Sequence, residues 1–168
     1  AFTRNSNGDA NISIVSIAED QNEIEIRLNT PKEYIDVTDK WEKKTLDNIY
    51  KLLDEFEKNK HRILFIRGEV SSEPQVSMLK SLVENSEKFL ERDTDLILYS
   101  QNRNNQDVSY DSLTKLSGKK LISEELTTED YPVIFLIDKN KQVVFSSSGF
   151  NLGISKLLQK KVRKLNSN

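Results

Sequence analysis

Three short apolar runs constrain this chain more than anything else in it. "RILFIRG" over residues 62–68 is nearly continuous, bounded by charge and by Gly68, and "TDLILYS" over 94–100 and "VIFLI" over 133–137 repeat the theme. Runs of this length without alternation read as strands covered on both faces, so the fold must place helices above and below a sheet. Helices are supplied between them. In "KWEKKTLDNIYKLLDEFEKNK" Leu46, Ile49, Tyr50, Leu53 and Phe56 recur at three and four, predicting a helix that ends near Lys60, with Thr38 or Asp39 as its cap. "SSEPQVSMLKSLVENSEKFLERD" repeats that spacing in Val76, Leu79, Leu82, Val83, Phe89 and Leu90, with Ser71 or Ser72 as cap and Pro74 in the first turn. "LGISKLLQKKVRKL" gathers Leu152, Leu157, Leu158, Val162 and Leu165 on one side of a closing helix with a basic face.

The remaining segments fill in the order. Residues 1–10 are polar and aperiodic, a flexible arm. Ile12, Ile14 and the Ile17 region, then Ile24, Ile26 and Leu28, alternate around "AEDQN" as a hairpin of two half-buried strands. "QNRNNQDVS" reads as a polar loop with no structure of its own, and "YDSLTKLSG" as a short helix stopped by Gly118. After "KKLISEELTTED" come a strand at Val133 to Ile137, a turn at "DKNK" and a strand at Gln142 to Ser146. Parallel strands joined through helices, then a tight hairpin, imply a mixed sheet in a single domain over 11–168.

One stretch is more specific. "Tyr131-Pro132-Val133" leading into "FLIDKNKQVV" resembles the close of the thioredoxin-like fold, in which a proline with a cis peptide bond stands before the first strand of the terminal hairpin, beside the active-site helix. A trans proline opening an edge strand is the alternative. The resemblance spans Glu23 to Leu165. It implies a thioredoxin-like three-layer α/β/α sandwich with a mixed central sheet, plus an extra N-terminal strand. Glu91-Arg92-Asp93 ahead of the third strand is similar to a triplet in cysteine-less, peroxiredoxin-like relatives.

The same family places its redox cysteines where this chain has "RGEVSSEPQV", and this chain has no cysteine at all. Thiol–disulfide exchange, thiol peroxidase chemistry and thiolate metal sites therefore have no nucleophile or ligand to use. The single histidine, His61, is a poor start for a zinc or iron site, so no metal and no cofactor is expected. With 25 basic and 27 acidic residues there is no overall field to attract nucleic acid, and no run of apolar residues is long enough to span a bilayer. Ala1 in place of Met fits an exported chain whose leader or anchor was removed, although trimming gives the same start.

Ser71 and Ser72 fall where the family's nucleophiles sit, but His61 is a whole strand away, ~20 Å when extended. A helix cap is the plainer role. An anion site built from the helix start, Ser71, Ser72 and Arg67 is a second candidate. Glu124-Glu125 and Glu129-Asp130 are paired carboxylates of the kind that divides acid and base roles or lies solvated. Trp41 reads as a core edge, and Asn11-Ile12-Ser13 fits a glycosylation acceptor in a secreted eukaryotic chain. The leading expectation is a non-enzymatic module that binds a protein or peptide through Val70, Ser71, Ser72, Glu73, Tyr131 and Pro132, the surface that in redox-active relatives docks extended polypeptide. Alternatives are a non-thiol enzyme or small-anion binder at the same helix start, and an accessory subunit binding through its N-terminal arm and basic last helix.

Overall fold

The computed structural model describes residues 40–68, 72–85, 94–110 and 113–167. The arm over 1–10, the hairpin expected over 12–28 with its extra strand, Val70, Ser71 and the triplet 91–93 lie outside the described residues. The elements are α1 (Lys43–Leu53), β1 (His61–Arg67), α2 (Glu73–Glu84), β2 (Thr94–Gln101), β3 (Thr114–Gly118), a 3-10 turn (Thr128–Asp130), β4 (Val133–Ile137), β5 (Val143–Ser148) and α3 (Ile154–Asn166). They build one sheet in the order β3-β2-β1-β4-β5. β1, β2 and β3 run parallel, and β4 and β5 are antiparallel to their neighbours.

The three apolar runs are β1, β2 and β4, the central strands, and each is buried along nearly its whole length. Pairing of Leu64 with Ile97 and with Phe135 sets one face of the sheet, which Trp41 and the Leu46–Ile49–Leu53 stripe of α1 cover. The opposite face, with Phe65 and Phe145, takes α2 and α3, which meet at Ser81 and Ser155, 3.2 Å apart. Lys161 of α3 lies over the Phe145 ring. Trp41 is a core residue, as expected: it donates to Ser146 Oγ at 2.9 Å and packs 5.3 Å from Phe135.

Several local expectations change. α1 starts at Lys43, after Glu42, and stops at Leu53 rather than near Lys60. Its cap comes from far along the chain: the Glu124 carboxylate accepts from the Glu42 N–H at 2.7 Å and from the Thr45 hydroxyl, placing negative charge at the helix's positive end. "EFEKNK" instead turns the chain back towards β1, with Asn59 at φ 79° and its N–H bonded to Lys139 O. In the last helix Ile154, Leu158, Val162 and Leu165 are buried and Leu157 is half-buried, while Leu152, expected on the same side, precedes the helix and is exposed.

The largest correction is "YDSLTKLSG", expected to be helical. Thr114–Gly118 is a strand paired in parallel to the outer edge of β2. With Leu113 and Leu116 as the only aliphatic residues of that segment, helical and strand periods were both open to it. What decides is the row of unpaired backbone groups on β2, which Thr114–Gly118 satisfies. Asn105 pins the arrangement by donating to the carbonyls of Leu98 and Leu116, and Lys115 Nζ reaches Val108 O at 3.2 Å.

Candidate functional site

Direction changes at the carboxyl end of β1: β2 and β3 extend the sheet to one side of it, while β4 and β5 lie on the other. Crevices form outside the strand ends at such a switch point. Here Arg67 and Gly68 lead towards the start of α2, and Pro132 opens β4 beside them. The Tyr131–Pro132 peptide bond is cis.

On one side of this end, Tyr131 forms a wall rather than a protrusion. It is 9% exposed and lies against Gly68, where a Cβ would come within 2.9 Å of the ring, so only glycine fits. Gln101, at the end of β2, holds the ring and the following connection together: Nε2 donates to the Tyr131 hydroxyl at 3.0 Å, and Oε1 accepts from Leu121 N at 2.8 Å and Ile122 N at 3.0 Å. A concavity of about 260 Å³ opens here between Gly68, Gln101, Lys120, Leu126, Thr128 and Tyr131. Asp130 caps the 3-10 turn by accepting from Thr127 N and Oγ1, and Ser148 Oγ donates to Asp130 O. Gly149, at φ 85° with Glu129 O 3.1 Å from where its Cβ would be, lets the chain pass and donate to Pro132 O. Thus Glu124 and Asp130, each from one of the carboxylate pairs singled out in sequence, cap local structure.

On the other side lies the Arg67 cluster. Arg67 is 6% exposed and its guanidinium grips Asp107 with two bonds, Nη1 to Oδ1 at 3.1 Å and Nη2 to Oδ2 at 2.9 Å; Nη1 also reaches Asn105 Oδ1 at 3.2 Å. Arg103 adds a third bond to Asp107 at 3.0 Å. These bonds, that from Arg67 foremost, hold the Asp107 carboxyl below its ordinary value. The loop over 102–110 is therefore organised around a charge cluster, which corrects its reading as structureless. Between it and α2 sits a second concavity of about 170 Å³, floored by Phe65, Leu79 and Val108 and rimmed by Val76 and Tyr110.

Among the residues singled out in sequence, Ser72 occupies the cap position of α2 but makes no cap bond; its hydroxyl accepts instead from Gln75 Nε2 at 3.2 Å. The 3%-exposed Gln75 in turn accepts from Gly68 N at 3.3 Å, tying the helix start to the strand end. Glu73 is exposed in the first turn, Pro132 is buried, and Val70 and Ser71 lie outside the described residues. Arg67 and Ser72 stand at the same end of β1, with Arg67 committed to Asp107. His61 is at the far end of β1, 2.9 Å from Asn166 Oδ1, so it makes no pair with Ser72. Gln101, Asp107 and Gln75 were missed in sequence. The one available signal was position: polar residues directly after "LILYS" and inside a helix start.

A mixed sheet with parallel strands on one side of β1, a terminal antiparallel hairpin on the other, helices on both faces and a proline opening the hairpin decides the architecture. The fold is thioredoxin-like. Solved structures similar to it include a Chlorobium tepidum protein described as the thiol:disulfide interchange protein DsbE, at 12% identity over 64% of this chain and 82% of that one, with a TM-score of 0.47. BsSco, a member of the Sco family of cytochrome c oxidase assembly proteins, is 13% identical over 66% and 82%, at 0.48. Mycobacterium tuberculosis AhpC is 17% identical over 67% and 71%, at 0.41. No protein-family model matches the sequence, and a search of curated proteins returned no match. The thioredoxin-like chain carries no cysteine. Among its described residues no three His, Asp or Glu gather as metal ligands, and no helix is long and apolar enough to cross a membrane.

Proposed function

We propose that this thioredoxin-like chain is a redox-inactive module that recognises an extended polypeptide at the carboxyl end of β1. The supporting observation is the 170 Å³ concavity under Val76, itself 54% exposed. A cavity of ~150 Å³ admits a benzene ring, so this one has room for a single leucine or aromatic side chain. Its floor is apolar, and the polypeptide backbone would run past Ser72 and Glu73 towards the Tyr131–Pro132 side, with alternate side chains read by the pockets.

The cluster beside the pocket favours this reading over a small-anion binder or a non-thiol enzyme. Arg67 is the buried cation that an anion would need, and Asp107 already takes both of its outer nitrogens. An incoming anion would have to displace a well-aligned bidentate carboxylate, at the cost of charge-assisted bonds. Lacking a cysteine, the same end of the sheet supplies no thiolate.

The test is an array of extended peptides probed with the native chain and with Val76→Glu, which puts a charge at the pocket rim without entering the core. Retention should concentrate on segments carrying one Leu, Phe or Tyr and fall roughly tenfold in the variant, ~1.4 kcal/mol. If no peptide is retained, or if Val76→Glu binds as tightly as the native chain, this reading fails.

A further inference from the structure

The overall charge near zero hides a strong asymmetry. From residue 139 to 168 the chain carries seven basic residues and no acidic one. Within α3, Lys156, Lys160 and Arg163 are exposed and follow one another at intervals of four and three. That spacing puts them on one stripe, on the side of the helix away from the buried Ile154, Leu158, Val162 and Leu165. Ion pairing does not neutralise them: none of the three makes a salt bridge among the described residues. Just ahead of the helix, in the turn that precedes its Gly153 cap, Leu152 is 87% exposed and Phe150 50% exposed.

We propose that this outward face of α3, headed by Phe150 and Leu152, is a docking surface for an anionic lipid bilayer, on which the domain lies without spanning it. A polyanion in water, whether acidic protein or nucleic acid, would match the basic stripe but leave Phe150 and Leu152 open to solvent. The boundary between headgroups and acyl chains matches both halves: phosphates meet Lys156, Lys160 and Arg163, and the two apolar side chains enter the acyl region just past them. Each basic residue near an anionic leaflet strengthens binding roughly fivefold. The stripe therefore confers about a hundredfold preference for a charged membrane over a neutral one, screened by salt.

Co-sedimentation of the full chain with vesicles tests this. The native protein should pellet with phosphatidylcholine vesicles containing phosphatidylglycerol, stay in solution with pure phosphatidylcholine, and be released by salt. The combined variant Lys156→Gln, Lys160→Gln, Arg163→Gln should bind about a hundredfold more weakly, and Leu152→Ser roughly fivefold more weakly. Melting temperatures of both variants should equal that of the native chain, since all four side chains are exposed. Failure of the native chain to pellet with the charged vesicles overturns the proposal. So does pelleting unaffected by Leu152→Ser together with equal retention on heparin or polyglutamate beads, which assigns the stripe to a soluble polyanion. Peptide recognition is read without vesicles and through Val76, so the two proposals fail separately.

Discussion

Two arginines of β1, five residues apart, are both nearly inaccessible, and the chain treats them in opposite ways. Arg67, at the carboxyl end, faces the α2 side and is matched by Asp107 and Asn105 from a loop 38 to 40 residues away. Arg62, at the other end, is 1% exposed, stacks 5.0 Å from the Phe56 ring, has one long contact to Lys60 O at 3.5 Å and leaves Nε without a partner. The first charge organises a loop and thereby shapes a pocket. The second is held mainly by its stack on Phe56. A buried, matched charge can specify geometry, whereas a poorly matched one contributes little beyond the packing of its stem.

The polar clasps of the carboxyl end should therefore be where the molecule is most vulnerable, and the largest effect is expected at Gln101. Gln101→Leu keeps the bulk but leaves the Leu121 and Ile122 N–H groups and the Tyr131 hydroxyl without this partner; urea denaturation should show a loss of about 3 kcal/mol. Equal stability of variant and native chain would break the contrast between the two ends. Next is Arg67→Met, which frees a half-exposed Asp107 that water can rehydrate. The expected loss is therefore nearer 2 kcal/mol than the larger cost of a fully buried pair. Faster hydrogen exchange at the Val108 amide should accompany it, because its loop loses its anchor.

Arg62→Met sharpens the comparison by sign. Removing a desolvated charge with so few partners should leave thermal stability within about 1 kcal/mol of native, on the stabilising side, even after loss of the contact with Phe56. A loss as large as that of Arg67→Met would mean the two arginines do equivalent work. The smallest effect is in acid. Asp107 titrates lower when folded than when unfolded, so its contribution is fully present above the ordinary carboxyl range of about 4 and fades as pH falls through its lowered folded value. The native chain should lose this increment on acidification. Arg67→Met, lacking the main cause of the shift, should show a flatter profile over the same range.

Much of the architecture was legible from the sequence alone, because burial on both faces leaves a mark that needs no partner to be read. β1, β2 and β4 lie in the apolar runs, α1 falls on its periodic stripe, α2 keeps only the Leu79 and Leu82 part of its own while Val76 is exposed, and the proline before "VIFLI" marks where the terminal hairpin begins. Weakly apolar segments left no such mark. The segment 110–118 carries too few apolar side chains to fix a period, so the free edge of β2 settled Thr114–Gly118 as a strand. The same limit applies at the site. Nothing local indicates that Asp107 satisfies Arg67, that Glu124 caps a helix some 80 residues away, or that Tyr131 is held down by Gln101 against Gly68. A charge or hydroxyl reads alike in sequence whether its partner is water or a distant side chain. The chain by itself thus determined which segments must be covered. Tertiary structure alone decided which polar groups were already spent holding the fold, because their partners lie far away along the chain.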